Sequence, residues 1–244
     1  MTAILRIESL AVSFDGLRAV DGLDFQVEDD ELRCVIGPNG AGKTTLLDMI
    51  CGKTKPTAGT IRFQDHEIAE MIEYEVTRLG VGRKFQNPST YEDLTVLENL
   101  EISYPEKRGV IGSLFFKRDR ALMDKIDEVA GQIYLSEHLH AKAGLLSHGQ
   151  KQWLEIGMLL MQAPKLLLLD EPVAGMSPRE RELTAELLHQ VSGGRSTIVI
   201  EHDMAFVRMI AHRVTVMHQG KVLAEGSMEE VQNDDRVIEV YLGH

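Results

Sequence analysis

The sequence is poor in cysteine and lacks a long apolar run. Its 244 residues include only two cysteines, Cys34 and Cys51, which excludes the disulfide framework that staples small secreted proteins. No stretch approaches the roughly 18 apolar residues needed to span a bilayer. The first ten residues carry Arg6 and Glu8, where a signal peptide would be apolar. We therefore expect a reduced, soluble and unprocessed chain.

Positive charge is also scarce. Lysine and arginine total 26 against 38 aspartates and glutamates, a formal net charge of −12. A surface of this sign repels a phosphate backbone, so we expect no nucleic-acid partner. The hydrophobic content of 43% is ordinary for a folded chain, and the length suits one α/β domain with an insertion or two closely packed subdomains.

One segment carries a specific chemical signal. Residues 37–45 read GPNGAGKTT and fit G-x-x-x-x-G-K-S/T, a loop whose successive backbone N–H groups surround phosphate oxygens. An apolar strand precedes it and a helix-like segment, Thr44 to Ile50, follows, which is the context that the motif requires. The candidate phosphate ligands are Gly37, Pro38, Asn39, Gly40, Ala41, Gly42, Lys43, Thr44 and Thr45.

The residue types of this loop suit the chemistry. Glycines allow the backbone to approach a phosphate where a Cβ would obstruct it. Lys43 offers a mobile positive charge to β- and γ-phosphates, and the Thr44 hydroxyl is a candidate ligand of Mg²⁺. The start of the following helix adds the positive end of its dipole.

Acidic and imidazole side chains follow two predicted buried strands. Asp170 and Glu171 come directly after the apolar run Leu166–Leu169, and His202 follows Thr197–Ile200 closely. Ligands of parallel sheets gather at the carboxyl edge of the strands. We expect Asp170 to hold Mg²⁺ through water, Glu171 to act as the base for the attacking water, and His202 to donate to a γ-phosphate.

Gln86 ends a predicted strand that begins at Val81 and leads into a helical region. A neutral amide can bind Mg²⁺ or the attacking water without adding charge. We therefore predict that Gln86 contributes to both catalysis and metal binding, and that its place at a junction couples the nucleotide to movement of the helices.

A second predicted anion site lies at the start of the helix that contains Trp153. Ser147, Gly149 and Gln150 stand there in the run LSHGQ, where a hydroxyl and free helix N–H groups can bind phosphate. Because the Lys43 loop already covers one side of the phosphates, the economical arrangement is two chains head to tail, each offering this site to the nucleotide of the other.

Periodicity predicts the remaining elements. The pattern of the N-terminal part predicts a hairpin around Asp15-Gly16. Residues 87–162 are predicted to form an all-helical insertion with a capping box at Thr95 and Glu98. We predict an ATP-binding core at 1–86 and 163–244 and a helical subdomain at 87–162. Further predicted elements are a helix at Ile68–Leu79, a helix from Pro178 to about Val191, a helix at Met204–Ala211, and a final hairpin at Arg213–His218 and Val222–Glu225.

Taken in order, the phosphate loop, glutamine, LSxGQ run, aspartate–glutamate pair and histidine resemble the nucleotide-binding subunits of ATP-binding cassette (ABC) transporters. The resemblance covers nearly the whole chain. It implies a RecA-like P-loop NTPase core with an antiparallel β subdomain and an inserted helical subdomain. It further implies ATP and Mg²⁺ as cofactors, a dimer with a second ATPase subunit, and stacking of Phe14 on adenine.

By the same resemblance, ATP hydrolysis drives integral-membrane permease subunits, with a periplasmic solute-binding protein as an indirect partner. The ATPase is expected in the cytoplasm, peripheral on the inner face of the cell membrane. A non-transport ABC ATPase acting on DNA or ribosomes is the less favoured alternative, because it would be expected to carry a long coiled-coil insertion, a second cassette or basic arms, none of which the sequence contains.

The sequence departs from the family pattern at two places. His148 stands within the signature run, and Ala174-Gly175-Met176-Ser177 replaces Ser-Ala-Leu-Asp. The segment from Gly82 to Pro88 is similar to the branched-chain amino-acid importer group. LSHGQKQWLEIGM at 146–158 is more similar still to the D-type ATPase of bacterial urea importers. Urea or a short-chain amide is therefore the expected solute, with a branched-chain amino acid as the alternative.

Overall fold

The computed structural model describes residues 3–84, 90–105 and 119–242. The chain forms two compact units, one of 1–83, 165–172 and 191–244 and the other of 84–164 and 173–190. The boundaries drawn from the sequence differ from these units mainly at 173–190, which pack with the helices. Among the described residues, no helix is long and apolar enough to cross a membrane.

An antiparallel sheet forms the first part of the larger unit. Strand β1 (Ala3–Phe14) pairs with β2 (Leu17–Glu28) as the predicted hairpin and, on its other side, with β4 (Ala58–Phe63), which is followed by β5 (His66–Glu67). Positive φ angles at Asp15 and Gly16 match the tight turn that the right-handed strand twist favours.

A second, largely parallel sheet follows the order β10-β9-β3-β8-β7-β6. Every residue of β3, β7 and β8 is buried, as expected of strands covered on both faces. Because β3 is parallel to β8 and β9, and β7 to β8, their carboxyl ends meet at one edge. The strand bounds are Leu32–Ile36 (β3), Val81–Lys84 (β6), Leu166–Asp170 (β7), Ser196–Ile200 (β8), Arg213–His218 (β9) and Lys221–Gly226 (β10).

The described residues also form nine α-helices and two short 3₁₀ turns, Ser136–His138 and Ala143–Leu145. The helices are Lys43–Ile50 (α1), Glu73–Leu79 (α2), Val96–Ser103 (α3), Arg120–Gln132 (α4), His148–Met161 (α5), Pro178–Ser192 (α6), Met204–Ile210 (α7), Met228–Gln232 (α8) and Asp235–Leu242 (α9).

One prediction about helices was wrong, and two helices were missed. The helix predicted from Ile68 begins only at Glu73, because Ile68 donates its N–H to Ile61 of β4 (2.8 Å) and Ile72 is extended. Helices α8 and α9 were not predicted at all. Ser227 and Glu230 form a capping box at the start of α8, and this pattern in the sequence was the signal that could have found it.

The unit of helices is closely packed. A Cβ on Gly157 of α5 would overlap Ile133 and approach Leu100 of α3 within 3.1 Å, so glycine lets these helices approach closely. Helix α6 joins this unit through a buried hydrogen bond in which the Trp153 indole donates to the Thr184 hydroxyl at 2.9 Å. That bond explains why 173–190 belong here.

Candidate functional site

The predicted loop connects β3 to α1 and depends on close backbone approaches. Gly37 has φ +150° and Gly42 has φ +97°. A Cβ on Gly37 would overlap the carbonyl oxygen of Met217, and a Cβ on Gly42 would overlap that of Ala19. Both positions therefore require glycine for sterics as well as for backbone angle.

Main-chain hydrogen bonds join this loop to the neighbouring elements of the same unit. Gly220 donates to the Ala41 carbonyl at 3.0 Å and accepts from Asp21 N–H, also at 3.0 Å. The Ala41 N–H donates to Pro38 at 3.2 Å. The loop is thus fixed to β2 and to the turn between β9 and β10.

Lys43 lies half-buried at the first position of α1. Its Nζ donates to the carbonyls of Gly37 (2.7 Å) and Pro38 (3.0 Å). Burial lowers the pKa of Lys43, whereas the carboxylates of Glu171 and Asp170 raise it. The ammonium group therefore faces the acidic pair and is held by carbonyls that an anion can replace.

Asp170 ends β7 with its side chain only 2% exposed. Burial raises the pKa of Asp170, and a hydrogen bond from Thr44 and the positive charge of Arg83 oppose that rise. Within the described part of the chain, its Oδ1 is buried and has no hydrogen-bond partner. A buried acceptor beside a threonine hydroxyl suits a hydrated Mg²⁺ ion, which prefers oxygen ligands.

Glu171 and His202 meet at the same edge. Glu171 has φ +48°, a strained conformation for a residue with a side chain, and its N–H donates to Ile200 of β8 at 3.0 Å. Its Oε1 lies 3.4 Å from His202 Nδ1, with side chains 30% and 67% exposed. The carboxylate and imidazole are therefore adjacent and open to solvent.

Two further predicted site residues are Phe14 and Gln86. Phe14 pairs with Leu17 at the end of the hairpin and is 48% exposed, so its ring face is accessible. Gln86 lies outside the described residues.

In the helical unit, Ser147 caps α5. Its Oγ accepts from Gln150 N–H at 3.2 Å, and Gln150 Oε1 accepts from Ser147 N–H at 2.9 Å. The Ser147 hydroxyl donates to Glu180 of α6 at 3.3 Å. Ser147 and Glu180 are 33 residues apart in the sequence, and no local pattern in the sequence indicated their contact.

The two departures from the family pattern contact each other. His148 Nε2 lies 3.0 Å from the carbonyl oxygen of Ala174, and a Cβ on Gly175 would come within 3.3 Å of the imidazole. His148 therefore binds the 174–175 backbone, and a glycine there leaves room for its ring.

Comparisons with known proteins agree with these observations. A model of the ABC transporter family matches residues 20–174, which is more than half of the chain. The chain belongs to the ABC transporter family. A second model, for the branched-chain amino acid ATP-binding cassette transporter, matches residues 221–244 of this ABC subunit.

Several relatives match this ABC subunit along nearly its whole length. It is 35% identical over 249 residues to the high-affinity branched-chain amino acid transport ATP-binding protein BraF of Pseudomonas aeruginosa, covering 98% of both chains. It is likewise 35% identical over 249 residues to LivG of Escherichia coli K12, again covering 98% of both chains. The solved ATP-binding cassette MJ1267 has a TM-score of 0.88 at 32% identity, with full coverage of both chains.

The ABC subunit is thus an ATP-binding subunit of the branched-chain amino-acid type, and it hydrolyses ATP to power transport. The predicted fold class is confirmed by the likeness to MJ1267, of which an ADP conformation also matches with a TM-score of 0.88. The resemblance to ABC ATPases and to the branched-chain group is confirmed as well.

Proposed function

We propose that this subunit drives an importer by hydrolysing ATP between two ATPase chains arranged head to tail. The observation that carries the proposal is the shared carboxyl edge of β3, β7 and β8. There, the carboxylates of Glu171 and Asp170 partly offset the lowering of the Lys43 pKa by burial, and Glu171 contacts His202. Phosphoryl transfer to water requires a cation, a metal-binding carboxylate and a base, and these three groups lie at this one edge.

Each of these residues has a proposed role. Lys43 exchanges its bonds to Gly37 and Pro38 for phosphate oxygens, because charged acceptors form stronger hydrogen bonds than carbonyls. Glu171 accepts the proton of the attacking water, and His202 orients that water and donates to the γ-phosphate. Phe14 stacks on the adenine.

Mg²⁺ is proposed at Thr44 and Asp170, with Gln86 as a third candidate. The buried Oδ1 of Asp170, which lacks a partner among the residues described, supports this assignment. When bound, the ion supplies positive charge to the phosphate oxygens. Thr44 and Asp170 would hold the ion. Burial raises the pKa of the Asp170 carboxyl, and Thr44 acts to lower it.

Asp170→Asn is expected to raise the Mg²⁺ concentration needed for half-maximal ATPase activity by about tenfold or more, because a neutral amide attracts the cation less strongly. Titration of MgCl₂ at saturating ATP measures this. Asp65→Asn, at an exposed turn of the same unit, is the matched control. An unchanged Mg²⁺ requirement in Asp170→Asn would remove Asp170 from the metal site.

The second ATPase chain is proposed to contribute Ser147, Gly149 and Gln150 to the γ-phosphate. The support is the α5 N-terminus, where the serine and first N–H groups provide donors. The importer role implies membrane permease chains as partners and a periplasmic solute-binding protein as an indirect partner. It also implies a cytoplasmic location on the inner face of the membrane.

Two solutes are proposed, and they rest on different observations. BraF and LivG are branched-chain amino acid transport proteins, which favours a branched-chain amino acid. The segment 146–158, similar to D-type ATPases of urea importers, favours urea or a short-chain amide. The solute binds the membrane and periplasmic chains, so a transport assay must decide.

Uptake should depend on one of these solutes. We expect vesicles that contain this subunit, its co-encoded permease chains and the solute-binding protein to accumulate either ¹⁴C-leucine or ¹⁴C-urea when ATP is supplied on the cytoplasmic face. The same vesicles with Lys43→Ala provide the background. ATP-dependent uptake of neither compound, nor of acetamide, would contradict both solute proposals.

A further inference from the structure

The carboxylate of Glu180 lies against the first turn of α5. A Cβ on Gly149 would overlap Glu180 Oε1, and the same oxygen accepts the Ser147 hydroxyl at 3.3 Å. Both glycine and serine belong to the LSHGQ run. A negative group of this chain thus occupies the position where the helix start would attract an anion.

The Ser147 hydroxyl has a single proton. Its oxygen already accepts from Gln150 N–H, and its O–H donates to Glu180. A serine can donate only one hydrogen bond at a time. The hydroxyl cannot therefore donate to a phosphate while it donates to Glu180.

Glu180 is firmly placed and ionised. Its Oε2 accepts from the N–H and hydroxyl of Ser177 at 2.9 and 2.7 Å. These bonds, followed by smaller effects of Ser147 and His148, lower the pKa of the Glu180 carboxyl despite partial burial. A carboxylate with these partners keeps its negative charge at neutral pH, so it and a γ-phosphate repel each other at close range.

We propose that Glu180 is a positioning residue that holds Ser147 away from the nucleotide in the free subunit and must release it before a γ-phosphate can dock. The inference rests on the proposed head-to-tail function. Binding of ATP then competes with an internal acceptor, so the Glu180 contact raises the ATP concentration at which two chains associate.

His148 and residues 174–175 support the same arrangement. The His148 ring binds the Ala174 carbonyl at 3.0 Å, which ties the segment preceding α6 to the first residue of α5. Glu180, in the first turn of α6, is thereby kept near Ser147. The two departures from the family pattern fall within this network.

The test is an ATP titration of dimer formation in a Glu171→Gln background, in which hydrolysis is slowed, monitored by size exclusion with light scattering. Adding Glu180→Gln should lower the ATP concentration for half-maximal dimer by about fivefold, since one opposing charge is removed from a helix N-terminus. Glutamine can still cap α6, so the melting temperature should stay within about 2 °C of the parent.

Glu182→Gln is the matched control, because Glu182 is an exposed carboxylate on the same helix that pairs with Arg179. It should leave the dimer midpoint within about twofold of the parent. An equal shift in both variants would show a bulk charge effect and overturn the proposal. An unchanged or raised midpoint in Glu180→Gln would overturn it as well.

A double-mutant cycle tests whether Glu180 acts through Ser147. Adding Glu180→Gln to Ser147→Ala should lower the midpoint by clearly less than fivefold, because the hydroxyl contact is already lost and only the repulsion between the Glu180 carboxylate and the γ-phosphate is left to remove. A full fivefold shift in that background would remove Ser147 from the explanation and overturn the positioning role. If the Glu171→Gln parent fails to dimerise with ATP, both the head-to-tail proposal and this inference fail; a dimerising parent with no Glu180 effect rejects the inference alone.

Discussion

Glu171→Gln is expected to slow steady-state ATP hydrolysis by about 10²- to 10⁴-fold, the range that a general base contributes, while ATP binding is retained. An amide cannot accept the proton of the attacking water. The side chain has nearly the same volume and can stay beside His202, which lies 3.4 Å from the Glu171 carboxylate. Phosphate release and equilibrium binding of a fluorescent ATP analogue measure the two effects separately.

The control for Glu171→Gln is Glu70→Gln, which removes a carboxylate whose side chain is 80% exposed and paired with Lys55. This variant should hydrolyse ATP at the rate of the unaltered protein. If Glu171→Gln also kept its turnover, Glu171 would not be the base, and the strained backbone at φ +48° would require another explanation.

Lys43→Ala is expected to weaken ATP binding by about 2–5 kcal/mol, the cost of truncating one partner of a buried charge pair. Hydrolysis would be lost with it at ordinary ATP concentrations. The ammonium group lies between loop carbonyls and an acidic pair, and truncation to alanine removes its charge from the phosphate-binding loop. Isothermal calorimetry with MgATP gives the affinity.

Lys55→Ala provides the matched comparison, since Lys55 is 55% exposed and pairs only at the surface with Glu70. It should bind MgATP as the unaltered protein does. Retained affinity in Lys43→Ala would contradict the phosphate-binding assignment of the whole 37–45 loop. Lys43→Arg should restore binding only in part, because a planar guanidinium is wider than an ammonium group.

Local rules made much of the core predictable. The phosphate loop was visible because its glycines, lysine and threonine stand at a fixed spacing between an apolar strand and a helix. The capping box at Thr95 and the turn at Asp15-Gly16 were predicted because they depend on contacts only a few positions apart. The buried strands before Glu171 and His202 were evident from unbroken apolar runs, which parallel strands covered on both faces require.

Long-range contacts made the rest invisible. No sequence pattern links Trp153 to Thr184, so the packing of α6 with the helical unit could not be predicted. The hydrogen bond from Ser147 to Glu180 was likewise evident only from the structure. The helix predicted from Ile68 was wrong because a bond to β4 outweighs local apolar spacing. The C-terminal helices follow a capping signal at Ser227 that is weak without its context.

The supports behind the nucleotide loop, the Met217 carbonyl, Gly220 and Ala41, are peptide groups. Substitution cannot remove a peptide group, so the brace at position 217 does not depend on which side chain stands there, provided that it fits the buried site that Met217 fills. These main-chain braces can therefore persist in a cassette that shares only 35% of its residues with BraF, because they do not depend on side-chain identity.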